Sequence, residues 1–245
     1  MLRLLVGLVL LPLSGSLLWV SARTLAGVAV ASSTAAPFAA GLGLCFAGWA
    51  IGRWLVVDAT GAAAWPGRAA RFSYVLGHEL THAMAAWASG GSVYGIKVGE
   101  KEGHVDLSHT SAFVALAPYC FPFYALGVAV AYRVLLFARP DAGGEALFLF
   151  LMGGALGAHL LFTWDSLTQV RQPDLDAAGG AVFSWSLIAA ANALVVLLML
   201  KMLFPDAVAL SDRLREAGGF AGRFWSFAWM RFKPLAVEAK RRALS

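Results

Sequence analysis

Apolar residues dominate six stretches of the chain, at 4–20, 38–57, 72–89, 112–137, 146–168 and 181–204, with polar and charged residues gathered between them. Each stretch approaches the roughly 20 helical residues that cross a hydrocarbon layer. Strands with open edges are excluded there, because unpaired backbone groups find no water to bond. The pattern predicts an all-α membrane protein of about six transmembrane helices, contained in residues 1–205. The first stretch, with Arg3 ahead of it and Val20-Ser21-Ala22 at its end, also fits a cleaved signal peptide.

Two segments break this pattern. Between 90 and 111, Tyr94, Ile96 and Val98 alternate with other residues, Val105 and Leu107 do the same, and Gly99-Glu100-Lys101-Glu102-Gly103 separates the two runs. Period-two alternation around a glycine-bounded turn predicts a β-hairpin. In residues 206–245, Arg213, Arg215, Arg223, Arg231, Lys233, Lys240, Arg241 and Arg242 interleave with Phe220, Phe224, Trp225, Phe227, Trp229 and Phe232. That mixture predicts an amphipathic tail lying in the membrane interface.

Composition agrees with a bilayer as solvent: 60% of residues are apolar and 13% charged, against roughly a quarter charged in soluble domains. No second soluble domain of ordinary size fits between the apolar stretches. The formal charge of +5 lies at the ends of those stretches and in the tail, so it suits lipid headgroups and no nucleic acid is expected. Cys45 and Cys120 lie in apolar stretches and read as packing residues rather than a disulfide framework.

With six spans, Arg3, Arg53, Arg68, Arg71, Arg133, Arg139, Lys201 and the tail collect on one side, and Arg23, Lys97, Lys101 and Arg171 on the other. The positive-inside rule then predicts a plasma-membrane protein with both termini cytoplasmic and the hairpin outside.

Chemistry concentrates in His78-Glu79-Leu80-Thr81-His82. On a helix the two histidines are one turn apart and share a face, so both imidazoles reach one metal ion while Glu79 reaches its water. Zinc polarises a carbonyl and acidifies water, and a glutamate beside it carries the proton to the leaving nitrogen. Ionisable groups in an apolar stretch are costly, which favours a functional role over helix linking.

The order Gly77-His78-Glu79-Leu80-Thr81-His82-Ala83, then Gly90-Gly91, a strand from 93 to 98, a second strand near His104-Val105, and an apolar span with Ala117-Pro118 resembles the site-2 protease family of intramembrane zinc metalloproteases. The resemblance covers residues 70 to 135 well and the next two spans loosely. It implies a Zn2+ cofactor and cleavage of peptide bonds in a membrane-embedded protein or peptide substrate. It also implies that the hairpin edge, at Ile96 and Val98, holds an unwound substrate segment by strand addition.

A catalytic zinc takes three protein ligands and keeps one open position. In the family the third is an aspartate of a Leu-Asp-Gly signature, and the nearest match here is Gln172-Pro173-Asp174-Leu175-Asp176-Ala177-Ala178-Gly179. Asp174 leads, because Pro173 breaks the preceding helix and presents the acid at the start of the next. A straight span from 146 ends near Asp165, so Asp174 has to dip back toward the metal. His159, Asp165 and Asp176 follow in that order, and Asn192 is a candidate for substrate binding or helix linking. The expected function is a zinc-dependent intramembrane endopeptidase. The alternatives are a noncatalytic metal-binding protein or helix-binding scaffold, and a metal or proton transporter.

Overall fold

In a computed structural model, which describes residues 1–31, 33–55, 65–99, 103–169 and 172–244, helices follow the apolar stretches and one hairpin interrupts them. The helices are α1 (Leu2–Ala31), α2 (Ala36–Leu55), α3 (Trp65–Ala88), α4 (Ala112–Cys120), α5 (Phe123–Ala138), α6 (Glu145–Gln169), α7 (Pro173–Ala178), α8 (Ala181–Leu203) and α9 (Leu210–Leu244). The strands are β1 (Val93–Val98) and β2 (Gly103–Leu107). The turn residues Glu100, Lys101 and Glu102, together with Arg171, fall outside the described residues, as do the side chains of Arg53, Lys240, Arg241 and Arg242.

Among the described residues four helices are long and apolar enough to cross a membrane: α1, α2, α6 and α8. A fifth span is present if α4 and α5, bent by 68° at their junction, count as one. The six expected spans therefore become four or five. The stretch absent from either count is α3, which carries Arg68, Arg71, Glu79 and both motif histidines among its apolar residues. The bend follows from Pro122: it has no N–H to extend α4, and it favours the extended backbone that Phe121 adopts at φ −111° and ψ 116°.

α1 lies against α8, and the two run in the same direction. Near its start the Arg3 guanidinium donates to the Ala178 carbonyl at 2.8 Å, and Ser186 Oγ donates to the Gly7 carbonyl at 3.0 Å. Further along, Leu17 and Val20 share a core with Ala193, Leu197 and Ala217 of α9. Beyond them Arg23 pairs with Glu216 of α9 at 3.0 Å.

The tail thus begins beside the Arg23 end of α1 and away from Arg3, whereas the expected grouping had put Arg3 with the tail and Arg23 apart from it. Val20-Ser21-Ala22 lies within the continuous α1 helix.

α2 packs on α6 through Gly41 and Gly153, where a methyl group would overlap the Phe150 or Phe38 carbonyl of the facing helix. Small residues let two backbones approach and gain dispersion contact where lipid offers no hydrophobic drive. α9 buries Ala217 and Ala221 and leaves Phe220, Phe224, Trp225, Phe227, Trp229 and Phe232 exposed.

The hairpin is antiparallel, with Ile96 opposite Val105 and Val98 opposite Gly103, and a bulge between Val93 and Gly95. Val93 and Leu107 pack against Ala85, Ala86, Val114 and Ala117, which fixes the hairpin to α3 and α4.

Candidate metal centre

His78 and His82 project from successive turns of α3, with ring centroids 4.8 Å apart. His82 Nδ1 lies 2.9 Å from the Val114 carbonyl in the first turn of α4. A carbonyl only accepts, so Nδ1 carries the proton and the Nε2 lone pair is left free. That turn is itself held by Ser111, whose Oγ accepts from the Val114 N–H at 3.2 Å. His78 Nδ1 lies 3.3 Å from the hydroxyl of Tyr74, one turn earlier on α3.

Asp174 arrives from the far side. α7 begins at Pro173, and Gly179 and Gly180, at φ 125° and 98°, turn the chain from α7 into α8 in a conformation that disfavours other residues. The short α7 folds against α4, so the dip back toward the histidines that the helix length requires is present. Asp174 Oδ2 sits 3.5 Å from Nε2 of both His78 and His82.

Tyr119, wholly buried on α4, donates to the same Oδ2 at 2.9 Å.

One ligand atom from each of His78, His82 and Asp174 lies within 4.8 Å of the others, a group that could hold a metal ion. The donor set fits zinc. Ligand atoms about 2.0–2.1 Å from a tetrahedral zinc are about 3.3 Å apart. The two 3.5 Å separations are long for hydrogen bonds and close to that tetrahedral edge. The Val114 carbonyl, Tyr74 and Tyr119 are in place to orient the three donors, as partners of metal ligands do. Among the described residues this group has three members, which leaves one tetrahedral position for water or substrate.

Glu79 follows His78 on α3 and is 7% exposed. Gly103, the first residue of β2, covers it: a Cβ there would stand 2.6 Å from Glu79 Cγ and Oε1 and 2.7 Å from Val75 Cγ1. The hairpin therefore closes over the carboxyl at a position with no side chain.

The other candidates lie elsewhere. His159 bonds Asn192 through Nε2 at 2.9 Å, outside the donor group. Asp165 Oδ2 accepts from the Trp49 indole at 2.7 Å, and Asp176 is exposed on α7. Asn192, buried on α8, donates to the Tyr119 carbonyl at 2.7 Å and the Ile188 carbonyl at 2.9 Å, so its amide links α8 to α4 and α6. In β1 Ile96 is exposed and Val98 half-buried.

Tyr119 and Gly103 escape the sequence reading. Gly103 is visible there only as a turn residue, and nothing in the pattern around Tyr119 separates it from other aromatic core positions. No protein-family model matches the chain, and no curated protein or solved structure matches it either.

Proposed function

We propose that the protein is a zinc-dependent intramembrane endopeptidase. The reading rests on one observation: two imidazole nitrogens and a carboxylate oxygen converge within 4.8 Å, with the buried Glu79 next to one of them in sequence. His78, His82 and Asp174 hold the metal. When bound, zinc supplies Lewis acidity toward a peptide carbonyl and toward water. Glu79 takes the proton from that water and returns it to the leaving nitrogen.

Covered by Gly103, Glu79 is kept from bulk water and from stray ion pairs. The free edges of the hairpin offer backbone donors and acceptors to an extended substrate, with Ile96 and Val98 as contact positions, which suits recognition that tolerates many sequences. A transmembrane protein or peptide is the substrate class, since the site sits among bilayer-length apolar helices.

A purely structural metal site is the weaker reading, because such sites close with four protein ligands and this group offers three among the described residues. The excess of Lys and Arg in the tail assigns α9 to the cytoplasmic face of a plasma membrane, and residue 1 to the opposite side. The test is direct. Purified protein binds about one zinc and cleaves a transmembrane reporter, and Glu79→Gln keeps the zinc and loses the cleavage. Equal cleavage by Glu79→Gln refutes the mechanism.

A further inference from the structure

A cavity of about 30 Å³ opens beside His78, between α3, α5 and α6 and the end of α4. It has room for about two water-sized groups. Most of its wall is apolar, and most of its polar side chains are already engaged. Thr81 Oγ1 donates to the Gly77 carbonyl at 2.6 Å, the Tyr124 hydroxyl donates to the Ser73 carbonyl, and Tyr74 lies against His78. His159 is different.

The tautomer of His159 is set from a distance. Asn192 turns its Nδ2 toward two carbonyls, of Tyr119 and Ile188, and carbonyls only accept, so both amide hydrogens are committed. The atom facing His159 Nε2 is therefore the Asn192 oxygen, at 2.9 Å, and Nε2 must donate to it. A neutral imidazole has one donor and one acceptor, so Nδ1 is a bare acceptor. It has no hydrogen-bond partner among the described residues, and His159 lines the cavity. His78 lines the same cavity, so the space reaches one residue of the candidate metal group.

We propose that His159 Nδ1 is a substrate-binding acceptor that reads a serine hydroxymethyl group next to the scissile bond, an inference that rests on the peptidase reading. Serine fits twice: its two side-chain heavy atoms match the space, and its hydroxyl supplies the donor that Nδ1 lacks. Alanine fills part of the room and leaves the acceptor unpaired. Leucine and phenylalanine bring no donor to the acceptor. Selectivity of this kind comes from a buried polar group that pays a desolvation cost when its partner is missing.

The experiment measures binding rather than turnover. Zinc-loaded Glu79→Gln protein in nanodiscs is titrated with fluorescent transmembrane peptides in which one serine is moved through the span, each beside its alanine counterpart. One serine position binds about fivefold to tenfold more tightly than alanine. His159→Leu abolishes that difference and keeps its zinc.

Because His159→Leu packs differently, nitrogen-15 NMR of the unsubstituted His159 gives a second readout: Nδ1 is unprotonated, and its signal moves with the serine peptide and not with the alanine peptide. Absence of binding or of any serine preference, as when water alone occupies the cavity, overturns the proposal. So does a preference that survives His159→Leu, or zinc lost in that variant, which would make His159 a ligand. Reporter cleavage that stops in Glu79→Gln decides the peptidase reading separately.

Discussion

Replacing Gly103 with alanine tests the proposed general base apart from the proposed metal ligands. The new methyl carbon would stand 2.6 Å from Glu79 Cγ and Oε1 and 2.7 Å from Val75 Cγ1. Carbon contacts are comfortable at about 3.5–4.0 Å, so the three atoms and the strand must part by about 1 Å. Gly103 is not among the glycines with positive φ, so alanine is allowed by the backbone and the contact alone carries the cost. The Glu79 carboxyl is the movable partner.

A displacement of about 1 Å in a catalytic group costs on the order of 100-fold in rate. The three atoms nearest the added carbon belong to Glu79 and Val75 rather than to His78, His82 or Asp174, so zinc content is expected to stay at one per protein. The assay is single-turnover cleavage of a transmembrane reporter by purified protein, with metal analysis of the same samples. A Gly103→Ala rate equal to that of the parent would refute the placement of Glu79 as general base. Loss of zinc in step with activity would refute its separation from the ligands.

Further consequences follow from the same contacts. Tyr119→Phe removes the hydroxyl that donates to Asp174 Oδ2, and zinc affinity falls about 10–100-fold in competition with a chelating dye, with little change in fold. Asp174→Ala removes a proposed ligand, so the purified variant is expected to carry less than half the zinc of the parent, whereas Asp165→Ala and Asp176→Ala keep it. Asn192→Leu orphans the Tyr119 carbonyl and His159 together, costing about 1–3 kcal/mol for each buried group, visible as a lowered thermal midpoint in detergent. Proline at Ile96 removes a backbone donor from β1, and reporter cleavage slows while zinc is retained; cleavage at the parental rate would end the strand-addition role.

Much of this site is readable in the chain because its parts are local. His78 and His82 meet through helix geometry alone, and the hairpin announces itself by alternation around a glycine-rich turn. Asp174 is readable too, since Pro173 ends one helix and starts another. Its return toward α3 depends on Gly179 and Gly180, whose positive φ values a pattern of apolar residues does not reveal.

Other features are tertiary. Residues 112–137 are apolar throughout, so the 68° bend at Pro122 hides inside what reads as one long span. The reach of Tyr119 to Asp174 crosses 55 positions, and the fit of Gly103 over Glu79 joins a strand to a helix. The direction of α1 relative to α8 rests on contacts such as Gly7 with Ser186, which hydropathy cannot encode.

The central claim is that three side chains hold zinc so that Glu79 can drive peptide hydrolysis. Its most direct test measures zinc content and cleavage of a transmembrane reporter in parallel, for the parent and Glu79→Gln. About one zinc in each protein, with cleavage by the parent alone, is the predicted result. A parent that binds no zinc, or a Glu79→Gln variant that cleaves as fast as the parent, would contradict it.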